Sequence, residues 1–162
     1  MLYNRLSLLL ATFLSFSVSP AVAQLIDRVI DGDTIVVRPA STDQPIRVRI
    51  AGIDAPELKQ PYGKEARRRA MRLLRAGVLH IETSRKDKYG RPLADIMLRD
   101  GDDFAARMVA SGAAWYYPTS LARYRELLHY QEAAQQKGRG LWGRREPVPP
   151  WMWRQNAKKA HL

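Results

Sequence analysis

Cysteine is absent from this 162-residue chain, and only three histidines occur, at positions 80, 129 and 161. Without thiols there are no disulfides, no thiolate metal sites and no cysteine nucleophile. The histidines are far apart and follow no zinc spacing. A Gly-Lys-Ser/Thr phosphate loop and a Gly-x-Ser-x-Gly turn are also missing. Hydrolytic chemistry, if there is any, falls to carboxylates and guanidiniums. Acidic residues are scarce beside basic ones, 16 against 27, for a net charge of +11. Such an excess points to a polyanionic partner, nucleic acid or an anionic membrane surface.

Long apolar runs are missing too. The stretch Leu6 to Val18 is apolar or Ser/Thr throughout but is shorter than the roughly 20 residues of a membrane span. With Arg5 before it and Ala21-Val22-Ala23 after it, the stretch has the form of a secretory signal peptide over 1–23. The mature chain is then expected to begin at Gln24 and to be exported, to the periplasm or outside the cell. Arg5 is the sole charged residue of that leader, so the basicity belongs to the mature domain.

At 46% hydrophobic residues the remainder can bury a core as one domain. Leu25 to Val29 and Thr34 to Arg38 have the composition of strands, with Asp31-Gly32 as the turn between them. Ile46 to Ile50 alternates strictly, placing Ile46, Val48 and Ile50 on one face and Arg47 and Arg49 on the other. Gly52 and Pro56 bracket a loop holding Asp54 and Glu57. Lys64 to Ala76 has helical spacing, with Ala66, Ala70, Leu73 and Leu74 on one face and Gly77 as the stop. Strands are expected at Val78 to Thr83 and Leu93 to Leu98, around a charged loop at 86–92.

A short helix capped by Asp102 or Asp103 carries Phe104, Met108 and Val109 inward. Trp115 to Pro118 is an aromatic loop. A last long helix capped by Ser120 presents Leu121, Tyr124, Leu127 and Leu128. The tail 147–162 is Pro-rich, then Trp-rich, then basic. Trp151-Met152-Trp153 is expected to pack onto the domain, with stacking on bases as the alternative. Three strands, a helix, two strands and two helices is the order of a five-stranded OB-fold barrel, read here as an antiparallel set.

The carboxylates of interest are Asp31, Asp33, Asp54 and Glu57. Asp33 starts one strand and Asp54 follows the end of the next. Paired strands would bring the two together, with Glu57 on the same rim. Oxygen-only ligands suit a hard cation such as Ca²⁺. The alternative is plain turn chemistry, since Asp-Gly and Asp-x-Pro are common loop formers. Arg49, and Arg91 in "DKYGR", have the chemistry to grip phosphate oxygens bidentately. Otherwise Arg49 is a solvated charge and Arg91 a turn residue.

The segments "DGDT", "RIAGIDAPE", "YGKEA", "DKYGRPLADI" and "GLW" stand in one order and spacing from about Ile26 to Trp142. In this they closely resemble the thermonuclease family, the staphylococcal-nuclease-like domains. The resemblance implies a mainly β domain over 24–146, a five-stranded OB-fold barrel plus three helices. It also implies Ca²⁺-dependent cleavage of DNA and RNA, leaving 3′-phosphates. The chain is expected to be a monomer, without stable membrane association once the leader is cleaved.

Residue by residue, the resemblance makes Asp33 and Asp54 the carboxylate ligands of the calcium. Ala55 lends a backbone carbonyl and Thr34 is a neighbour of the metal. Asp31 is a non-ligating acid. Glu57 is the general base, and Arg49 and Arg91 are the phosphate-gripping arginines. Lys88, Tyr89 and Tyr117 contact substrate. The loop between Glu57 and Tyr62 is shorter than in the best-known secreted members, and the tail after Trp142 has no counterpart. The competing expectation is an OB-fold module that binds nucleic acid without cleaving it.

Overall fold

The computed structural model describes residues 25–39, 42–87, 89–118 and 122–160. The expected leader 1–23, Lys88, Ser120 and Leu121 lie outside the described residues.

The first three strands are β1 (Leu25–Val29), β2 (Thr34–Arg38) and β3 (Ile46–Ile50), paired antiparallel in that order. A two-residue strand, β4 (Ile53–Asp54), leads to helix α1 (Gly63–Ala76). Strands β5 (Val78–Lys86) and β6 (Pro92–Leu98) come next as a hairpin. The five-stranded sheet runs β1-β2-β3-β6-β5. This strand order, with α1 inserted between β3 and β5, is that of an OB fold.

One pairing departs from the antiparallel expectation. β3 and β6 run parallel, with Arg49 opposite Leu93 and Ile50 opposite Ala94. Parallel neighbours need a crossover of a dozen or more residues, and β4, α1 and β5 supply it. β5 also runs further than expected, to Lys86, because it stays paired until Lys86 meets Pro92. The charged loop thereby tightens to 87–91, closed by the Asp87 N–H donating to the Arg91 carbonyl at 2.9 Å.

The core lies between the sheet and the helices. Ile35, Val48, Ile50 and Ile96 face it from the strands. Ala66, Ala70, Leu73 and Leu74 face it from α1, as the helical spacing requires. Helix α2 (Phe104–Ala110) buries Phe104, Met108 and Val109, and Asp103 caps it by accepting from the Ala106 N–H at 2.7 Å. Each fully buried large apolar side chain contributes about 1.5–3 kcal/mol.

The aromatic segment forms a short strand, β7 (Trp115–Tyr116), paired with β4. The expected long helix is divided into a 3-10 turn at Ala122–Tyr124 and helix α3 (Glu126–Gln136). α3 buries Leu127 and Ala134, two helical turns apart. Leu128, expected inward, is 39% exposed because it sits one step round from that seam.

The tail corrects the count of three helices. It forms a fourth, α4 (Pro150–Lys159). Pro150 stands in its first turn, where a missing N–H costs nothing. Among the described residues no helix is long and apolar enough to cross a membrane.

Candidate active site

The turn between β1 and β2 places the first carboxylate. The Asp31 carboxylate accepts from the Asp33 N–H at 3.0 Å, and the N–H groups of Ile30 and Asp31 donate to the Thr34 carbonyl. Gly32 is needed for space: a Cβ there would lie 2.6 Å from that of Ala55. With the turn seated so closely, the Ala55 N–H donates to Asp33 Oδ2 at 2.8 Å and Thr34 Oγ1 donates to Asp33 Oδ1 at 2.9 Å. Asp33 is thus buried and rigidly aimed.

β3 and β4 place the next groups. Arg49 lies opposite Thr34 in the ladder, and the Ile50 N–H donates to the Asp33 carbonyl at 2.7 Å. Arg49 is not the solvated charge of the alternative. Its side chain is 13% exposed, and one nitrogen, Nη2, lies 3.4 Å from Asp33 Oδ2 and 3.3 Å from Asp54 Oδ1. Asp54 is opposite Trp115 in the β4–β7 pair, and its side chain is 1% exposed.

Glu57 lies on the loop into α1. Its N–H donates to Gln60 Oε1 at 3.1 Å, and Gly63 lets α1 begin directly against its carbonyl. The three acids therefore share one rim of the barrel, as the strand ends require.

Arg91 is set by a different pairing. The parallel β3–β6 pair puts the start of β6 beside Arg49. In this structure, however, Arg91 Nε donates to Asp87 Oδ2 at 2.6 Å and its guanidinium lies 5.6 Å from the Tyr89 ring centre. No hydrogen bond or ion pair among the described residues joins Arg91 to Asp33, Asp54 or Glu57. Tyr89 is 72% exposed. The Tyr117 ring lies 5.7 Å from the Arg49 guanidinium carbon, set by the Tyr117 N–H donating to the Gly52 carbonyl at 2.9 Å.

Sequence reasoning missed one group altogether. Arg154, on α4, donates from Nη1 to Asp54 Oδ1 at 3.1 Å and from Nη2 to Asp54 Oδ2 at 2.7 Å. Its Nη1 also lies 2.8 Å from Glu57 Oε1. Trp151, three residues earlier on the same helix face, meets Trp115 and Tyr117 edge-on at 5.7 and 5.9 Å. The expected packing onto the domain therefore occurs at Trp151, whereas Met152, expected to pack with it, is 46% exposed. The available signal was Pro-Pro as a helix start, with Trp and Arg after it at helical spacing. Asp87, which holds Arg91, was also missed.

Burial pushes the Asp33 carboxyl above its usual range, against the pull of Arg49 and with a further push from Asp31. Burial likewise raises Asp54, although Arg154 and Arg49 act to lower it and Asp33 adds repulsion. Arg154 is itself raised, chiefly by its bonds to Asp54. The pairing with Arg154 is thus strong, yet burial outweighs it and both carboxyls stay raised.

Among the described residues no group of three or more His, Cys, Asp or Glu side chains is gathered for a metal. The candidate donors are two carboxylates converging on one nitrogen. An oxygen-only set completed by backbone and water fits a hard divalent cation, and two buried carboxylates that both lie within 3.4 Å of one nitrogen are close enough to share one such ion.

Residues 47–144 match the staphylococcal nuclease homologue family. The chain is 39% identical over 127 residues to a protein of Escherichia coli O157:H7 described as an uncharacterized endonuclease, covering 78% of this chain and 81% of that one. It is 37% identical over 112 residues to the staphylococcal-like nuclease CAN1 of Arabidopsis thaliana, covering 69% of this chain and 34% of the plant protein. The family match takes in Arg49, Asp54, Glu57 and Arg91 together, and on it the chain belongs to the staphylococcal nuclease homologue family.

Proposed function

We propose that the protein is a calcium-dependent nuclease that hydrolyses phosphodiester bonds of DNA and RNA and leaves 3′-phosphates. The observation that carries this is the convergence of Asp33 and Asp54 on one guanidinium nitrogen of Arg49. Nucleic acid is the substrate class that the family and the +11 charge both favour.

Asp33 and Asp54 would hold the cation, with the Ala55 carbonyl and water, and Thr34 orienting Asp33. When bound, the cation supplies positive charge to a non-bridging phosphate oxygen. Glu57 accepts the proton of the attacking water. Arg49 neutralises charge growing on the equatorial oxygens, and Arg91 joins it by leaving Asp87 for the phosphate. As the water oxygen bonds to phosphorus the P–O5′ bond breaks; the leaving 5′-oxygen takes a proton from solvent water, and Glu57 returns its proton to solvent. Tyr117, whose ring lies beside Arg49, would contact the nucleotide, and Lys88 and Tyr89 would contact its neighbouring phosphate. The protein acts as an exported monomer, in the periplasm or outside the cell; the support is the leader form of residues 1–23 and the charge distribution.

Digestion of plasmid DNA and of an RNA oligonucleotide, with calcium and with EDTA, tests this. Asp33→Ala and Arg49→Ala should each lower the rate by about 10²–10³, with a folded domain retained. Cleavage that survives EDTA, or survives both substitutions, sinks the mechanism. Binding without cleavage in calcium would establish the protein as a non-catalytic nucleic-acid binder.

A further inference from the structure

Arg154 occupies both carboxylate oxygens of Asp54, the more deeply buried of the two candidate cation ligands. It does so as a two-pronged fork, the strongest form of a guanidinium–carboxylate pair. Its third contact is with Glu57 at 2.8 Å. A single side chain from the last helix therefore engages one expected cation ligand and the expected base at once. Arg49 bridges Asp33 and Asp54 from the other side. Three acids thus face two guanidiniums, and a divalent ion on Asp54 would bring a third positive group onto the same oxygens.

The helix that delivers Arg154 is anchored at its beginning. Gln60 Nε2 donates to the Val148 carbonyl at 2.6 Å, Pro150 is buried, and Trp151 packs against Trp115 and Tyr117. Arg154 comes one turn later and is 43% exposed. Beside it opens a cleft of about 510 Å³ lined by Glu57, Lys59, Trp153, Arg154 and Lys158. Arg154 can leave Asp54 toward solvent while the Trp151 anchor stays in place.

We propose that Arg154 is an internal competitor for the cation's place on Asp54, and so the residue that decides which cations the site accepts and at what concentration. This rests on the reading that Asp33 and Asp54 bind a divalent cation. With Arg154 docked, Asp54 is already neutralised and its oxygens are engaged. A monovalent ion gains too little from the remaining charge to displace the fork. A divalent ion displaces it, and the apparent affinity falls in proportion to the fraction of molecules with Arg154 undocked. By linkage, cation binding must loosen Arg154 to the same degree. Arg154, once released, remains beside Glu57 and is available to a substrate phosphate.

The test is calcium binding to the chelator-treated full chain, measured by calorimetry and by terbium luminescence excited through the tryptophans. Arg154→Gln should bind about tenfold more tightly than the natural protein if Arg154 is docked roughly 90% of the time. Arg154→Lys should fall between them, because an ammonium lacks the fork. Asp33→Asn should lose binding in both backgrounds. Trypsin adds a second readout: calcium should speed cleavage at Arg154, Lys158 and Lys159 in the natural protein, and sodium should not.

Equal calcium affinity in the natural protein and Arg154→Gln, with Asp33→Asn still silent, overturns the competition while leaving the cation site standing. No calcium binding by any variant overturns both. Weaker binding by a folded Arg154→Gln also overturns it, and would make Arg154 a support for the site instead of a rival.

Discussion

Asp33 carries a burial cost that its neighbours only partly offset. Its carboxyl is raised first by burial and then by Asp31, against the pull of Arg49 and the hydrogen bonds from Ala55 and Thr34. A carboxyl whose folded pKa lies above its unfolded value of about 3.9 costs stability wherever it is ionised. Without cation, its cost is full above the folded pKa, shrinks as pH falls through it, and is gone below the unfolded value. Asp33→Asn removes the charge and keeps an oxygen for the Ala55 N–H. In EDTA at neutral pH it should raise the thermal midpoint by about 2–4 °C, the equivalent of roughly 1 kcal/mol, and in calcium it should lower the cleavage rate as Asp33→Ala does. The gain should fade on acidification. An unchanged or lowered midpoint in calorimetric scans would show that the site is not strained. Asp87 has the opposite sign: burial raises it, but hydrogen bonds from Arg91 and Tyr89 prevail and hold it low. Its contribution is therefore present above pH about 4 and lost below.

At the scale of elements, the join between the Glu57 loop and α1 is the tightest constraint on the site. A Cβ at Gly63 would collide with the Glu57 carbonyl oxygen, and the Leu58 backbone is close behind it. Neither neighbour is the free end of a side chain, so the loop or the helix start must shift. Gly63→Ala should destabilise the protein by about 1–3 kcal/mol in urea titrations and should lower kcat by displacing Glu57. A variant of natural stability and rate would mean that the loop gives way freely.

The elements themselves were legible to different degrees. α1 and α2 were readable because an apolar stripe at helical spacing has one way to be buried. The parallel β3–β6 pair was not, since pairing partners are chosen by the crossover and not by either strand's composition. α4 was hidden by its prolines, which were read as a tail when Pro150 in fact opens a helix.

At the scale of the whole molecule, part of the positive charge is gathered where, among the described residues, it meets few carboxylates. A cleft of about 510 Å³ is lined by Arg69, Arg72, Arg107 and Arg139. Burial, then repulsion from Arg107 and Arg72, lowers the Arg69 pKa, and its Nε is buried without a hydrogen-bond partner among the described residues. Among the described residues, only Arg107 is matched there by acids, Asp100 and Asp102. This face adds to the field that attracts a polyanion. Changing Arg69, Arg72 and Arg139 together to Ala should flatten the salt dependence of single-stranded DNA binding by about two in log–log slope. Cleavage of a dinucleotide should be unaffected. An unaltered slope in anisotropy titrations would mean that nucleic acid does not reach this face.

The amino-acid sequence alone determined the chemistry that was possible. Without cysteine, and without histidines in any ligand spacing, the choice narrowed to carboxylates and arginines. The strand periodicities also placed Asp33, Arg49, Asp54 and Glu57 at neighbouring strand ends, because alternation and turn residues are local properties. Tertiary structure alone decided which groups meet. Arg49 joins Asp33 to Asp54, Arg91 rests on Asp87, and Arg154 arrives from a hundred residues along the chain to lie on Asp54. Such a contact leaves no local trace: it depends on where a helix packs, and that is settled by Trp151 finding Trp115 and Tyr117.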